Sequence, residues 1–430
     1  MQVRRFPAAF SPRPVRFLER LNAALCMFDG MPARHEQSDM PAEAATAGGE
    51  DRISELPDDL LRLVLSSLPS DDAVRTCVLA RRWRHLWQST RAVRFTERAA
   101  RPWTARTLRN FVDHLLLLRG GAPVDVFEIS CDEIHDDDFR GDELSDPAQA
   151  RRRFDFGCAA SLWICHALSF CQARVIKVCI RYCHRLQLKD VPFVSHSQHL
   201  MRLEITDATI KSPSLDFSRC PALEDLEMSY CHVYVDTVSS QSLSRLSITD
   251  CNFREEIRTC ISTPCIVSLQ LSVSSGKAPF LEKMPLLIAA DVRIQDGCAN
   301  MCLKNDGYWD CDLDGCYDCY GVSDGSRSVL FEGLSSATDL ELTCDPRANG
   351  FLKEFAVAAT YENYNPIENF LVSEQLKVVE IKCCKQNDLV AKILMILKTH
   401  GVPPEKICIQ DNFCPPYTSG YTTTDSDFSW

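Results

Sequence analysis

Apolar residues recur along this chain with two different periods, and the change of period divides it. Leu60, Leu61, Val64, Leu65 and Leu68 fall at i, i+1, i+4, i+5 and i+8, which predicts a helix with one wide apolar face. Leu56-Pro57 stands at its start, where the fixed φ of proline suits the first helical position, and Asp58 and Asp59 place negative charge in the first turn. Pro69 stops this helix. Ser70, ahead of Asp71 and Asp72, offers an N-cap to a second helix whose apolar face is Val74, Cys77 and Val78. A third segment, 81–88, brings Trp83, Leu86 and Trp87 together at helical spacing. Three short helices bury only a small core, so the two tryptophans and many aliphatic side chains leave surplus apolar surface that wants a partner.

The second period begins after a further amphipathic helix over 107–119 (Leu108, Phe111, Val112, Leu115, Leu116), which Gly120-Gly121 ends. From there an apolar residue is followed three places on by a second and two places later by a third. The motif appears as Leu200/Leu203/Ile205, Leu223/Leu226/Met228, Leu243/Leu246/Ile248, Ile266/Leu269/Leu271 and Leu287/Ala290/Val292. First members are separated by 23, 20, 23 and 21 residues. That spacing lies in the leucine-rich-repeat range, where the motif is a short strand and each unit stacks on the next. Weaker copies extend the array upstream (Val124/Phe127/Ile129, Val175/Val178/Ile180) and downstream (Ala337/Leu340/Leu342, Leu376/Val379/Ile381, Pro404/Ile407/Ile409). Residues 132–155, acidic and then basic, are expected to loop out, with Trp163, Ile164, Ala167 and Leu168 on a helix behind the strands. Cys183, Cys231, Cys251 and Cys384 each follow a strand by three places, the position where such repeats favour Asn or Cys; they are expected to be buried and inert.

The residues 51–95 closely resemble the F-box. The resemblance rests on Leu56-Pro57, the Leu60/Leu61/Val64/Leu65 face, Leu68-Pro69, Asp72-Ala73-Val74-Arg75, Val78-Leu79, and Arg82-Trp83 followed by Leu86-Trp87. The repeats resemble those of plant F-box/leucine-rich-repeat proteins, and the stretch LKVVEIKCCKQNDLVAKILMILKTHGVPPEKICIQ resembles their FBD-type ending. The implied fold is α/β: a small three-helix F-box, then a leucine-rich-repeat solenoid, a curved parallel sheet with helices and loops on its convex side. The expected layout is a disordered leader over 1–50, the F-box over 51–95 and a helical linker over 96–121. The solenoid then covers 122–410, with a Cys-rich loop at 298–325 and an FBD-like end at 370–410, before a disordered tail over 411–430.

What the resemblance implies is the substrate-recognition subunit of an SCF-type cullin–RING ubiquitin ligase, not itself an enzyme, in the cytoplasm or nucleus. Its expected partners are a Skp-type adaptor and a target protein of unknown identity. The alternative is a repeat-protein scaffold that engages no ligase, stabilised by zinc. The residues expected at the adaptor are Leu56, Pro57, Leu60, Leu61, Val64, Leu65, Leu68, Val74, Val78, Arg82, Trp83 and Trp87, with Trp83, Trp87, Leu65 and Leu60 as anchors. Between the inward apolar positions of each strand, Arg202, Glu204, Asp225, Glu227, Arg245, Gln270 and Glu341 are expected to face the target. That row is mixed and mostly acidic, which points to a basic or polar target segment.

Composition narrows these readings. The net charge of −12 argues against nucleic acid as a partner, and no apolar run approaches the roughly 20 residues that span a membrane. Twenty-three cysteines in a chain without a secretory apolar core predict thiols rather than a disulfide framework. In the 298–325 stretch only Cys316 and Cys319 have the tight spacing of a zinc half-site, so no metal or cofactor is assigned. Asp310, Asp312 and Asp314 copy half of a calcium loop, but Gly321 stands where its bidentate Glu belongs. Gly321, Ser323 and Gly325 match a nucleophile elbow as text, without the strand and helix that would flank it. No catalytic constellation is found.

Overall fold

The computed structural model describes residues 53, 55–96, 103–134, 147–182, 185–189, 197–297, 331–344, 378–383, 405 and 407–411. The expected leader, the Cys-rich loop and most of the tail therefore lie outside the described residues, as do Cys183 and Cys384. The chain forms two compact units, one of residues 1–254 with 259–266 and the other of 255–258 with 267–430.

In the first unit, α1 (Asp58–Ser67) and α2 (Ser70–Arg75) meet at Leu68-Pro69. A 3-10 turn (Thr76–Val78) leads to a 3-10 helix (Arg81–Ser89). Capping differs from expectation, because Pro57 and Pro69 themselves stand at the two N-caps. The Ser70 hydroxyl points inward and accepts the backbone N–H of Arg94 at 2.9 Å. The third segment is 3-10 rather than α, a tighter coil that places Trp83 and Leu86, three apart, on one side.

That side is buried. Trp83, Leu86 and Trp87 are only 4–6% exposed and Leu61 and Leu65 at most 1%, which corrects the expectation of open tryptophans on a helical cap too small to cover them. The missing cover comes from further along the chain, from β1 (Ala92–Thr96) and α3 (Ala105–Arg119). A reciprocal Thr104–Thr107 capping box starts α3, and Gly120, at φ 60°, closes it in the left-handed conformation that glycine adopts without penalty. At its last residue, buried Arg119 donates Nη1 to the Trp87 carbonyl and the Thr90 hydroxyl, both at 2.9 Å, and Nη2 to the Thr90 carbonyl at 2.7 Å. Burial pushes this guanidinium down to about 10, partly opposed by Cys171, so it remains a cation at neutral pH.

β1 is also the first rung of a ladder. The unit continues through β2 (Val126–Ile134), the helix α4 (Pro147–Ser169), β3 (Val175–Tyr182), β4 (Leu186–Lys189) and β5 (Arg202–Thr206). Then come β6 (Ala208–Lys211), β7 (Ser214–Asp216), β8 (Asp225–Ser229), β9 (His232–Tyr234), β10 (Thr237–Ser239), β11 (Arg245–Phe253) and β12 (Cys260–Ser262). Strands β1, β2, β3, β5, β8 and β11 pair in that order, all parallel. Strands β4, β6, β9 and the end of β11 form a second run of rungs, and β7, β10 and β12 a third. Two apolar rows run across the main ladder in strict register, Val93–Phe127–Ile176–Leu203–Leu226–Leu246 and Phe95–Ile129–Val178–Ile205–Met228–Ile248. Every member is at most 2% exposed.

This register moves one expected repeat by two residues. Ile176 and Val178, not Val178 and Ile180, stand opposite Phe127 and Ile129, and Val175 lies half-exposed on the outer face. It also adds a repeat at the front, carried by Val93 and Phe95. Where a loop was expected, α4 already begins at Pro147, and it passes so close to β4 that a Cβ on Gly157 would lie 2.4 Å from the Gln187 carbonyl oxygen.

The second unit repeats the plan with β13 (Ser268–Ser275), β14 (Phe280–Leu281), β15 (Ala289–Gly297), the short helix α5 (Phe331–Leu334), β16 (Asp339–Cys344), β17 (Val378–Cys383) and β18 (Ile407–Asp411). β13, β15, β16, β17 and β18 are parallel neighbours, aligning Leu269–Ala290–Leu340–Val379–Ile407 and Leu271–Val292–Leu342–Ile381–Ile409.

Two stability predictions follow from the buried contacts. Trp87→Ala should lower unfolding free energy by about 3–5 kcal/mol, because it opens a cavity in the helical core rather than trimming a surface. Arg119→Met should lower it by about 3 kcal/mol, since two carbonyls and a hydroxyl lose a charged donor inside the protein. Urea titration measures both, and amide exchange across 87–92 should quicken in the second variant.

Candidate functional site

Among the described residues the unit that carries the helices has two surfaces suited to contact, and their chemistry is opposite. The first is apolar. On α1, Leu60, Leu63 and Val64 lie at i, i+3 and i+4 and are 46–68% exposed; beyond the 3-10 turn Val78 and Leu79 are 57% and 67% exposed, and Ile53 is 57% exposed. Exposed aliphatic side chains grouped on consecutive short helices mark a contact surface rather than scattered solvent positions. Arg82 frames the patch, donating to the Leu56 carbonyl at 2.5 Å and to Asp58 at 2.7–2.8 Å, and so ties the 3-10 helix to the start of α1.

The expected contact set divides accordingly. Leu60, Val64, Val78, Pro57 and Arg82 are exposed, while Leu56, Leu68 and Val74 are half-buried. Leu61, Leu65, Trp83 and Trp87 belong to the core beneath, and this corrects three of the four expected anchors. Leu63 and Leu79, which the expected set lacks, are exposed beside them. The helical period alone does not separate the two faces of α1, because Leu61/Leu65 and Leu60/Leu63/Val64 both repeat at helical spacing; only the position of β1 and the 3-10 helix decides which is covered.

The second surface is the outer face of the strand ladder, and it is charged. In register across one row stand Arg94, Glu128, Lys177, Glu204, Glu227 and Ser247, and across the next Arg202, Asp225 and Arg245. Arg94 pairs with Glu128 at 3.3 Å and Lys177 with Glu204 at 2.8 Å. Arg202 reaches Glu204, Glu227 (3.2 Å) and Asp225 (3.9 Å), and Arg245 donates to Asp225 at 2.7 Å. Partial burial works against the charge on Arg202, yet Glu204, Glu227 and Asp225 hold its guanidinium above the usual arginine range. The hydrogen bond that Arg245 donates to Asp225 does the same for its own guanidinium.

Opposite charges thus meet across strands all along this face, the favourable cross-strand pairing. The expected row of Arg202, Glu204, Asp225, Glu227 and Arg245 does lie together, but Arg94, Glu128 and Lys177 complete it, and the whole balances four basic against four acidic groups. The mostly acidic reading left out the first three rungs, where Arg94, Glu128 and Lys177 set two bases against one acid. In the second unit Gln270, Asp291 and Glu341 occupy adjacent rungs, and Arg293 reaches Asp291 at 3.2 Å and Glu341 at 3.9 Å.

Beneath the charged face the repeat cysteines act as expected where they are described. Cys231 and Cys251 are fully buried, and each thiol donates at 3.4 Å to the carbonyl of the preceding rung, Ile205 and Met228. Cys131 makes the equivalent contact with Phe95 at 3.7 Å, a member that sequence spacing missed because it follows Ile129 by two places and not three. The hydrogen bond with Cys231, together with burial, pushes the Cys251 thiol up, which keeps it protonated and unreactive. Among the described residues no group of His, Cys, Asp or Glu is arranged to hold a metal, and no helix is long and apolar enough to cross a membrane.

Comparison with known proteins agrees with this division. Residues 53–94 match the F-box domain model. The chain is 29% identical over 274 residues to F-box/LRR-repeat protein 13 of Arabidopsis thaliana, a match covering 57% of this chain and 56% of that protein. It is 27% identical over 265 residues to an FBD-associated F-box protein of the same plant, covering 57% of this chain and 61% of the relative. A shorter match, 55% identical over 47 residues, is to an Arabidopsis F-box/FBD/LRR-repeat protein, 11% of this chain and 10% of that one. The chain spans little more than half the length of the two relatives matched at length. It carries an F-box domain followed by a parallel-strand solenoid of leucine-rich-repeat type, and it is similar to plant F-box/LRR-repeat and FBD-associated F-box proteins over more than half its length.

Proposed function

We propose that this chain is the target-recognition subunit of an SCF-type ubiquitin ligase. The observation that carries the reading is the exposed Leu60/Leu63/Val64 and Val78/Leu79 patch on an F-box domain held to the first rungs of a repeat ladder. The patch would dock a Skp-type adaptor, and through it a cullin–RING ligase, over an interface of about 800 Å² per partner. The outer strand face would hold the target. The chain contributes no bond-making of its own; it brings the target close to a transfer carried out by other subunits.

The paired charges of the strand face support a reading of the target's character. A flat field of one sign would attract by long-range steering, whereas a balanced lattice selects at short range, by matching each exposed charge with its opposite. The reading therefore favours a polar target segment of mixed charge over a purely basic one.

Leu63→Asp with Leu79→Asp, both at exposed positions, should leave the unfolding curve nearly unchanged and weaken adaptor binding by about 2 kcal/mol or more. Undiminished adaptor capture by that folded variant would remove the patch as the docking site, and no capture by the unchanged chain would remove the ligase reading and leave a repeat-protein scaffold. In affinity purification with mass spectrometry, the same variant should lose ligase subunits and keep target candidates. Arg202→Glu, which places an acid among Glu204, Asp225 and Glu227, should do the reverse.

A further inference from the structure

The second run of rungs, which neither surface described above includes, arranges its charges differently. It continues directly from the strand face. Asp207, Tyr230 and Asp250, at φ 57°, 55° and 51°, turn the chain at successive corners. The Asp207 and Tyr230 N–H groups donate to the Ser229 and Thr249 carbonyls of the next rung at 3.0 and 2.9 Å. Beyond the corner β4, β6 and β9 pair in parallel, which sets Lys189, Lys211 and Tyr234 at one register position on three neighbouring rungs. Arg254, the residue after β11, closes the row, its Nη2 donating to the Tyr234 carbonyl at 2.7 Å.

On the strand face bases pair with acids across the ladder. Here lysine stands beside lysine on rungs about 5 Å apart, the unfavourable placing of like charges on neighbouring strands. The neighbouring acids Asp207 and Asp236 are engaged, with Arg185 at 3.0 Å and Arg254 at 2.6 Å. Lys211 is exposed and makes no ion pair among the described residues. Its ammonium lies 5.6 Å from the centre of the Tyr234 ring, a contact that leaves its N–H groups open to an acceptor. The Tyr234 hydroxyl adds a second donor. The Asn252 amide nitrogen lies 3.0 Å from His232 Nε2, so that nitrogen accepts and the ring proton sits on Nδ1, 3.2 Å from the Tyr234 oxygen. Partial burial, with Arg185 and Lys211 outweighing Asp207, holds His232 below the ordinary histidine range and keeps the ring neutral at neutral pH. Tyr234 thus receives a hydrogen bond from His232 and has its own proton to give.

What Lys211 and Tyr234 hold unspent is donor capacity on a locally basic row, and its complement is an anionic acceptor. We infer that this row binds an acidic segment of the target protein, deepening the target-recognition reading, on which it rests. A carboxylate over Lys211 accepts from its ammonium and from the Tyr234 hydroxyl, and a second acid toward the β4 rung offsets the like charge at Lys189. The row is open strand surface one corner away from the balanced strand face, so a segment lying on that face reaches it without a break. The whole chain carries a net charge of −12 and repels acidic peptides in general, which makes their capture here a local effect.

The test titrates the full chain at low ionic strength, where exposed charges are least screened, with fluorescently labelled hexaglutamate, hexaglutamine and hexalysine. Hexaglutamate should bind saturably and about fivefold more tightly than hexaglutamine, the size that one or two exposed charge pairs give. Lys211→Gln should abolish that preference. Tyr234→Phe, which keeps the ring under Lys211 and removes one donor, should weaken hexaglutamate about threefold. No saturable binding, equal binding of hexaglutamate and hexaglutamine, tighter binding of hexalysine, or a preference that survives Lys211→Gln would each overturn the inference. An oligothymidylate of the same length that binds more tightly than hexaglutamate would overturn it in favour of nucleic acid. The hexaglutamate-to-hexaglutamine comparison needs no variant, so misfolding cannot obscure it. Adaptor capture, measured on the same preparation, reports separately on the ligase reading: a failed titration with normal capture sinks this row alone.

Discussion

The first unit depends on one pairing, that of Ala92–Thr96 with 126–130 in parallel register. A strand with one apolar face cannot bury that face alone, and each rung of this ladder borrows cover from the next. Among the described residues β1 is the rung with no predecessor. What covers its surroundings is the helical domain, whose tryptophans in turn lack a core of their own. The two deficits cancel: α1 and α2 pack on β1, α1 and α3 pack on the 3-10 helix that carries Trp83 and Trp87, and the start of the ladder completes the helical core. Ser66 and Ser70 accept the backbone N–H groups of Arg91 and Arg94 at 3.1 and 2.9 Å, Arg94 donates to the Ser66 carbonyl, and Arg119 ties Trp87 and Thr90 to α3. The F-box domain and the first repeats are accordingly one folded body and not two beads on a linker.

Much of this was legible in the amino-acid sequence, and the misreadings share a cause. Leu203, Leu226 and Leu246 announce themselves by local spacing, and the ladder places them in one row as that spacing predicts. Val175, Val178 and Ile180 fit the same text pattern, but the pairing with Phe127 and Ile129 selects Ile176 and Val178 instead. Register is a contest between neighbouring strands, and a one-strand pattern cannot decide it when several β-branched residues stand in a row. The same limit hid the Val93/Phe95 rung, which reads locally as the end of the helical segment.

Burial of the tryptophans and balance of the charges were missed for a related reason. Both depend on groups distant in sequence: Trp87 on Arg119 and β1, Glu204 on Lys177 and Arg202, and Glu128 on Arg94. A residue-type count over the expected row omits Arg94 and Lys177, and so describes a more acidic field than the folded face has. The cysteines were easier, since their role is a local one. A small, weakly polar side chain at the end of a rung reaches the carbonyl of the rung before it, and the chain repeats that solution at Cys131, Cys231 and Cys251.

The two contact surfaces also differ in what they require when unoccupied. Five aliphatic side chains on α1 and at the end of the 3-10 turn stand 46–68% exposed, and open water is the least favourable surrounding for them. Covering each is worth on the order of 1–2 kcal/mol, so that patch suits a partner bound for most of the protein's lifetime. The strand face has the opposite character. Its charges already neutralise one another, each exposed pair being worth only about 0.2–1 kcal/mol, so little is lost while it is bare and little must be broken to rearrange it. A surface stable alone yet cheaply reorganised suits a partner that comes and goes. An apolar patch at one end and a self-neutralised polar face along the ladder is the arrangement that the proposed recognition subunit needs, and a single buried arginine helps hold the two in fixed relation.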